Sequence, residues 1–203
     1  MTDTSREPEP LTRQDRRFAT AVTELSSPAV CVVIGLVVVA WNSASGGAAA
    51  WAALAILLCA GVPMAYIAKG VKAGKWSDHH IGRREQRAIP LLVALGSVAL
   101  ASGLLILVGA PRQLIALVLS QLAGLFVVLM ITRFWKVSIH CATAGGLLGV
   151  FLVLFGPWAL LGIAPLALIA WSRVVLDAHT WTQVAVGAGA GFLIGSTLFP
   201  LLA

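Results

Sequence analysis

The chain has 203 residues, of which 59% are hydrophobic and 11% charged, and its formal net charge is +6 at pH 7. A soluble domain of this length needs far more polar surface, so the composition excludes an ordinary soluble enzyme and indicates an integral membrane protein. The three cysteines form no CxxC pair, so neither a disulfide framework nor a zinc site is indicated.

Residues 1–27 are charged and lack an apolar core, and we expect a cytoplasmic tail, either partly disordered or an interfacial helix, ahead of a membrane domain at 28–203. Seven apolar runs follow, at 28–42, 48–68, 90–110, 113–132, 141–156, 158–171 and 184–202. Runs near twenty residues span a bilayer. The fifth and sixth runs are short and separated only by Gly156-Pro157, which favours a tight helical hairpin over one broken element. The sequence therefore predicts an all-α membrane helical bundle of six to seven transmembrane helices.

Polar residues are concentrated in four places: the tail, residues 69–89, residues 133–140 and residues 172–183. With seven spans, two crossings separate each place from the next, so all four face one side of the membrane. Thirteen of the fourteen Lys and Arg residues lie there, and Arg112 lies opposite. By the positive-inside rule that side is cytoplasmic, and usage rich in Ala, Gly, Val and Arg favours a bacterial inner membrane. The basic residues flank apolar runs rather than forming a separate domain, so no nucleic-acid partner is expected.

Three polar segments meet on the predicted cytoplasmic face, at 75–90, 133–140 and 172–183. They offer cations, hydroxyls and two histidines: Arg84, Arg87, Lys136, Ser138, His140, Ser172, Arg173 and His179. Phosphoryl transfer needs several cationic and hydrogen-bonding groups around oxygens that stay charged through the transition state. Arginine contacts phosphate oxygens with a planar fork. Two histidines can divide the roles of nucleophile and general acid.

The last of these segments resembles the third signature of the type 2 phosphatidic acid phosphatase/vanadium haloperoxidase superfamily, S-R-x5-H-x3-D. Ser172, Arg173 and His179 match it, and Gln183 stands where the signature has an acid. The carbonyl of Gln183, one helical turn on, can accept the same N–H bond as the acid. A neutral amide stabilises an imidazolium less well than a carboxylate does. Asp78 is a second candidate to reach His179, through space.

The other two signatures match less completely. Of P-S-G-H, the chain retains Ser138 and His140 in VSIH. Of K-x6-R-P, it retains Arg87, with His80 at the lysine position and Ala88 at the proline position. The three motifs nevertheless occur in the family's order and on one predicted membrane face.

The resemblance implies a phosphatase that needs no metal or other cofactor. His179 would attack phosphorus and become a phosphohistidine, while His140 would protonate the leaving oxygen and then activate water. The implied phosphate-binding residues, together with neighbours of suitable chemistry, are Arg84, Arg87, Lys136, Ser138, Ser172 and Arg173. The expected substrate is a membrane lipid or prenyl phosphate, whose identity the sequence leaves open, as it does the oligomeric state.

Three alternatives stay open at this stage. Asp78-His79-His80 is a conceivable divalent-metal cluster, although adjacent side chains diverge. A catalytically impaired relative would bind anionic lipid headgroups without releasing phosphate. A small transporter for an anionic solute is the third, and transporters often have broken helices at midplane. The charged groups here cluster at one face, which disfavours transport.

Overall fold

The computed structural model describes residues 12–43, 46–76 and 84–203. Within these ranges the α-helices are α1 (Arg13–Leu25), α2 (Pro28–Asn42), α3 (Ala48–Ile56), α4 (Val62–Lys72), α5 (Ala88–Leu107), α6 (Arg112–Phe134), α7 (Ile139–Phe155), α8 (Ile163–Val175) and α9 (Trp181–Leu202). A π-helical turn, Leu57–Gly61, joins α3 to α4, and 3-10 segments occupy Arg84–Gln86 and Gly156–Gly162. The predicted all-α membrane bundle is confirmed.

The number of candidate spans reaches the lower end of the expected six to seven when the bent pair α1 and α2 is counted as one span. In the described part of the chain, five helical stretches are long and apolar enough to cross a membrane, or six if the bent pair α1 and α2 is one span. The run 28–42, taken from the sequence as a span by itself, is a helix of 15 residues. It rises only about 22 Å, which is short of a hydrocarbon core about 30 Å thick. It qualifies only together with α1, from which it bends by 43°.

The two short apolar runs lie in one helical stretch, Ile139–Val175, that folds back on itself. The fold-back begins at Gly156, whose φ of 59° lies in the left-handed region that favours glycine. His140 near the start of α7 and Arg173 near the end of α8 line the same cavity. α7 and α8 are therefore antiparallel, as the hairpin interpretation predicts.

α7 and α9 pack backbone against backbone along a row of glycines. A Cβ added at Gly187 would lie 2.6 Å from the carbonyl oxygen of Ser138. Four further glycines leave as little room for a side chain: Gly145, Gly149, Gly191 and Gly195. Small residues permit this approach in lipid, where apolar burial does not drive helices together. The contact fixes the first turn of α7, which carries His140, against α9, which begins two residues after His179.

The π-helical turn leaves one carbonyl without a donor from its own helix. The N–H of Val62 bonds to the first residue of the turn, so the carbonyl of Leu58 loses its usual partner. The next residue, Pro63, has no N–H to offer. The hydroxyl of Ser97 in α5 donates to the Leu58 oxygen at 2.6 Å. Because an unsatisfied carbonyl is costly in hydrocarbon, Ser97 stabilises the turn and attaches α5 to it.

The two ends of the bundle differ in charge. At one end, Arg112 Nε donates to the carbonyl oxygen of Leu202, 3.1 Å away, at the end of α9. The side-chain amide of Asn42, at the end of α2, donates to Gln113 Oε1 over 3.4 Å beside it. His179 precedes the start of α9 and therefore lies at the other end of the bundle, together with the other candidate residues.

Candidate functional site

Four candidate residues meet on one cavity of about 240 Å³ among the helices: Arg87, His140, Arg173 and His179. Their side chains are buried, with exposed fractions between 4% and 7%. Most of the remaining wall is apolar and comes from α2, the π-helical turn, α4, α5, α6, α7 and α9, with Cys59, Pro63, Leu117, Val128 and Val150 among its residues. The cavity thus combines a cationic, histidine-bearing end with a hydrocarbon-like interior.

His179 is held by a capping box at the start of α9. Its Nδ1 lies 3.0 Å from Gln183 Oε1. The same oxygen accepts the backbone N–H of Thr180 at 3.3 Å, and the Thr180 hydroxyl accepts the N–H of Gln183 at 3.3 Å. Because the N–H of Thr180 donates to it, the atom that faces His179 Nδ1 must be the amide oxygen of Gln183 and not its nitrogen. An amide oxygen only accepts hydrogen bonds, so Nδ1 carries the proton. Nε2 of the neutral ring therefore has the lone pair.

The surroundings keep His179 neutral. Its pKa falls from 6.5 to about 3, mainly because burial disfavours the charged ring, and then because the guanidinium of Arg87 repels it. Lys136 and Arg173 repel it more weakly, and the hydrogen bond to Gln183 opposes the fall. At pH 7 the imidazole is a base with an available lone pair, in a field of three positive charges.

The same charges act on Lys136, which lies between α6 and α7. Its pKa is lowered, first by burial and then by Arg87 and Arg173, while Glu85 raises it. Cations held this close are mutually unfavourable unless an anion joins them. A negatively charged group near the cluster would therefore lower this repulsion.

Ser138 and Arg87 make hydrogen bonds that join the segments around the site. The Ser138 hydroxyl caps α7 by accepting the N–H of Cys141 at 3.3 Å, and its own N–H donates to the carbonyl of Gln183 at 3.3 Å. Arg87 Nη1 donates to the carbonyl of Val137 at 3.2 Å, so the start of α5 is joined to the segment before α7. The cap puts His140 in the first turn of α7, where helix N–H groups and the helix dipole favour an anion.

Ser172 faces α1 rather than the cavity. It is completely buried, and its hydroxyl donates to the carbonyl of Ile169 at 2.8 Å. Its oxygen lies 3.1 Å from Thr23 Oγ1, which also accepts Arg173 Nη1 at 3.4 Å. Thr23 belongs to no motif and lies 149 positions before Ser172, so the sequence offered no signal for it.

Asp78 and His80 lie outside the described residues, as does the alternative metal cluster that contains them. Arg84 begins the 3-10 segment before Arg87, and its side chain is likewise outside the described part. Among the residues that are described, no group of three or more His, Cys, Asp or Glu side chains is arranged to hold a metal ion.

Comparisons with protein-family models, with curated proteins and with solved structures found no match to this chain. The superfamily resemblance consequently rests on the three motifs alone. The geometry of their residues is an independent observation, because motif order does not by itself bring side chains to one cavity.

Proposed function

We propose that this chain is a membrane phosphatase that hydrolyses a lipid-linked phosphate or diphosphate through a phosphohistidine. One observation carries the proposal: a neutral, tautomerically fixed His179 shares a largely apolar cavity with His140, Arg87 and Arg173. A nucleophile, a second acid–base group and two phosphate-binding forks are the parts that this reaction needs.

In the first step, Nε2 of His179 attacks phosphorus and a P–N bond forms. The bond from phosphorus to the leaving oxygen breaks. His140, which begins this step as the imidazolium, donates a ring proton to that oxygen and becomes neutral. In the second step, neutral His140 takes a proton from water as the water oxygen attacks phosphorus. The P–N bond then breaks, which releases inorganic phosphate and returns His179 to its starting tautomer.

The cations stabilise the charge on the transferred group in both steps. Arg87 and Arg173 line the cavity, and Lys136 is close enough that both affect its pKa. Gln183 orients His179 as an acid at its position would, but without a charge. We therefore expect the phosphohistidine to be less stabilised than with a carboxylate partner, and turnover to be correspondingly slower.

The apolar cavity wall favours a lipid over a soluble phosphate ester, because a hydrocarbon tail is what such a wall excludes from water. The basic end favours a cytoplasmic site in a bacterial inner membrane, by the positive-inside rule. Substrates made on that side include a prenyl diphosphate, a prenylphosphoryl sugar phosphate and phosphatidate.

The test is phosphate release by the purified protein in detergent, from a prenyl diphosphate and from phosphatidate, with excess chelator present. We expect release to survive chelation and His179→Ala to reduce it to background while the protein stays folded. Wild-type turnover by His179→Ala would refute the nucleophile assignment. Activity lost to chelator would point to the Asp78-His79-His80 segment and a different enzyme class. No release from either lipid, by a protein that still binds them, would favour the catalytically impaired relative.

A further inference from the structure

The amphipathic helix α1 packs on the segment that carries Arg173 and His179. Its N-terminus is closed by a capping box between Thr12 and Asp15, and its buried residues are Ala19 and Thr23. The ring of Phe18 lies 5.9 Å from that of Trp171 in α8. α1 is thus a docked element, with one polar side chain, that of Thr23, buried at 2% exposure against α8.

The hydrogen bonds around Thr23 have one consistent direction. A serine hydroxyl has a single hydrogen, and that of Ser172 is donated to the carbonyl of Ile169. In the 3.1 Å contact between the two hydroxyls, Thr23 must therefore be the donor and Ser172 the acceptor. A lone pair of Thr23 is left to accept Arg173 Nη1. The bonds run from Arg173 through Thr23 and Ser172 to a backbone carbonyl of α8, and each polarises the next.

We infer that Thr23 is a positioning residue for the phosphate site, holding the guanidinium of Arg173 at the cavity from a helix outside the three motifs. An arginine side chain loses much rotamer freedom when its guanidinium is fixed in one position. A buried acceptor fixed by its own hydrogen bond removes part of that freedom before the ligand arrives. Ser172 accordingly acts through Thr23 rather than by touching phosphate. The inference rests on the proposed function for its catalytic consequence, but not for its effect on anion binding.

The experiment compares three variants: Thr23→Val, which keeps the shape and removes the hydroxyl, Thr23→Ser, which keeps the hydroxyl, and Thr20→Val as a control. Thr20 lies on the exposed side of the same helix, and its hydroxyl donates to the carbonyl oxygen of Arg16, one turn earlier in that helix. Orthovanadate, a tetrahedral phosphate mimic that becomes five-coordinate when a nucleophile adds to it, is titrated into the detergent-solubilised protein. Measurements of kcat, KM and thermal stability are made in parallel.

We expect Thr23→Val to weaken orthovanadate binding about ten-fold, the loss typical of a hydrogen bond to a charged group. Thr23→Ser and Thr20→Val should stay within about two-fold of wild type. In an Arg173→Lys background, Thr23→Val should add little, because the two residues act as a unit. If Thr23→Val does not fold, Thr23→Ala replaces it.

Unchanged orthovanadate binding by a folded Thr23→Val protein would overturn the inference. So would an equal loss in Thr23→Ser, or additive losses with Arg173→Lys, since either would indicate a merely structural role. A wild-type protein that binds orthovanadate but releases no phosphate, with binding weakened in Thr23→Val, would refute the proposed function and support the inference. A wild-type protein that does neither would overturn both.

Discussion

Replacing Gly187 with alanine perturbs the contact between α7 and α9 at the point nearest the two histidines. The added Cβ would lie 2.6 Å from the Ser138 carbonyl oxygen, and ordinary van der Waals contact begins at 3.4 Å. The helices must therefore separate locally by about 0.8 Å, because the obstacle is backbone and cannot rotate away. That same carbonyl accepts the N–H of Ala142 at 3.0 Å, so the first turn of α7 moves with it.

The expected effect is larger on activity than on stability. Overpacking of this kind costs about 1–3 kcal/mol of unfolding free energy. Moving His140 by most of an ångström relative to His179 should reduce kcat by one to two orders of magnitude, since a displacement of about 1 Å can cost about a hundred-fold. Binding of substrate depends more on the cavity wall, so KM should change less.

The matched control is Gly189→Ala, on the same helix, where an added Cβ meets nothing within 4 Å. We expect this variant to match wild type, or to be stabilised by up to about 1 kcal/mol through helix propensity. Thermal unfolding in detergent and phosphate release are measured for both. If Gly187→Ala matches Gly189→Ala in both assays, the backbone contact between α7 and α9 is not as close as described here.

Four further predictions concern single side chains. The pKa of His179 is about 3 in the folded protein and about 6.5 in the unfolded chain, so the unfolded protein binds this proton at a higher pH. The free energy of unfolding should therefore fall as the pH drops from about 6.5 to about 3, and level off below that. Gln183→Glu should raise that pKa by about 1–3 units, since it puts a carboxylate beside the ring, as NMR titration of labelled histidine would show. Ser97→Ala should cost about 1–3 kcal/mol of unfolding free energy by leaving a carbonyl unsatisfied, whereas Ser102→Ala, whose hydroxyl bonds within its own helix, should cost little on denaturant titration. Arg16→Ala should change stability by less than about 1 kcal/mol, because its ion pair with Asp177 is exposed at 52% and 76%; a drop of several kcal/mol would contradict this.

The sequence predicts those features that depend on local pattern. Apolar runs near twenty residues indicate spans, and Gly156 indicates the turn of the hairpin. The i, i+4 spacing puts Gln183 one turn from His179, and the structure has the two side chains in contact. That amide oxygen also caps α9 and fixes the imidazole tautomer, but this double role became evident only from the position of Thr180 in the structure.

Features that depend on long-range packing could not be predicted in this way. Thr23 resembles any other threonine of an amphipathic helix until α1 is seen docked on α8. From its place in the motif, Ser172 was predicted to bind phosphate. The motif does not reveal that the hydroxyl points at α1. Likewise, the run 28–42 reads as a span until its length as a helix is known.

The glycine row also bears on how a long molecule reaches the cavity. Backbone in contact with backbone has no soft side chains between the two helices, so α7 and α9 should move as a single body. We therefore expect a lipid to enter by parting other walls of the cavity, those formed by α2 and α4. A bulky lipid tail would then enter between the walls formed by α2 and α4, while the rigid contact between α7 and α9 keeps the two histidines in place.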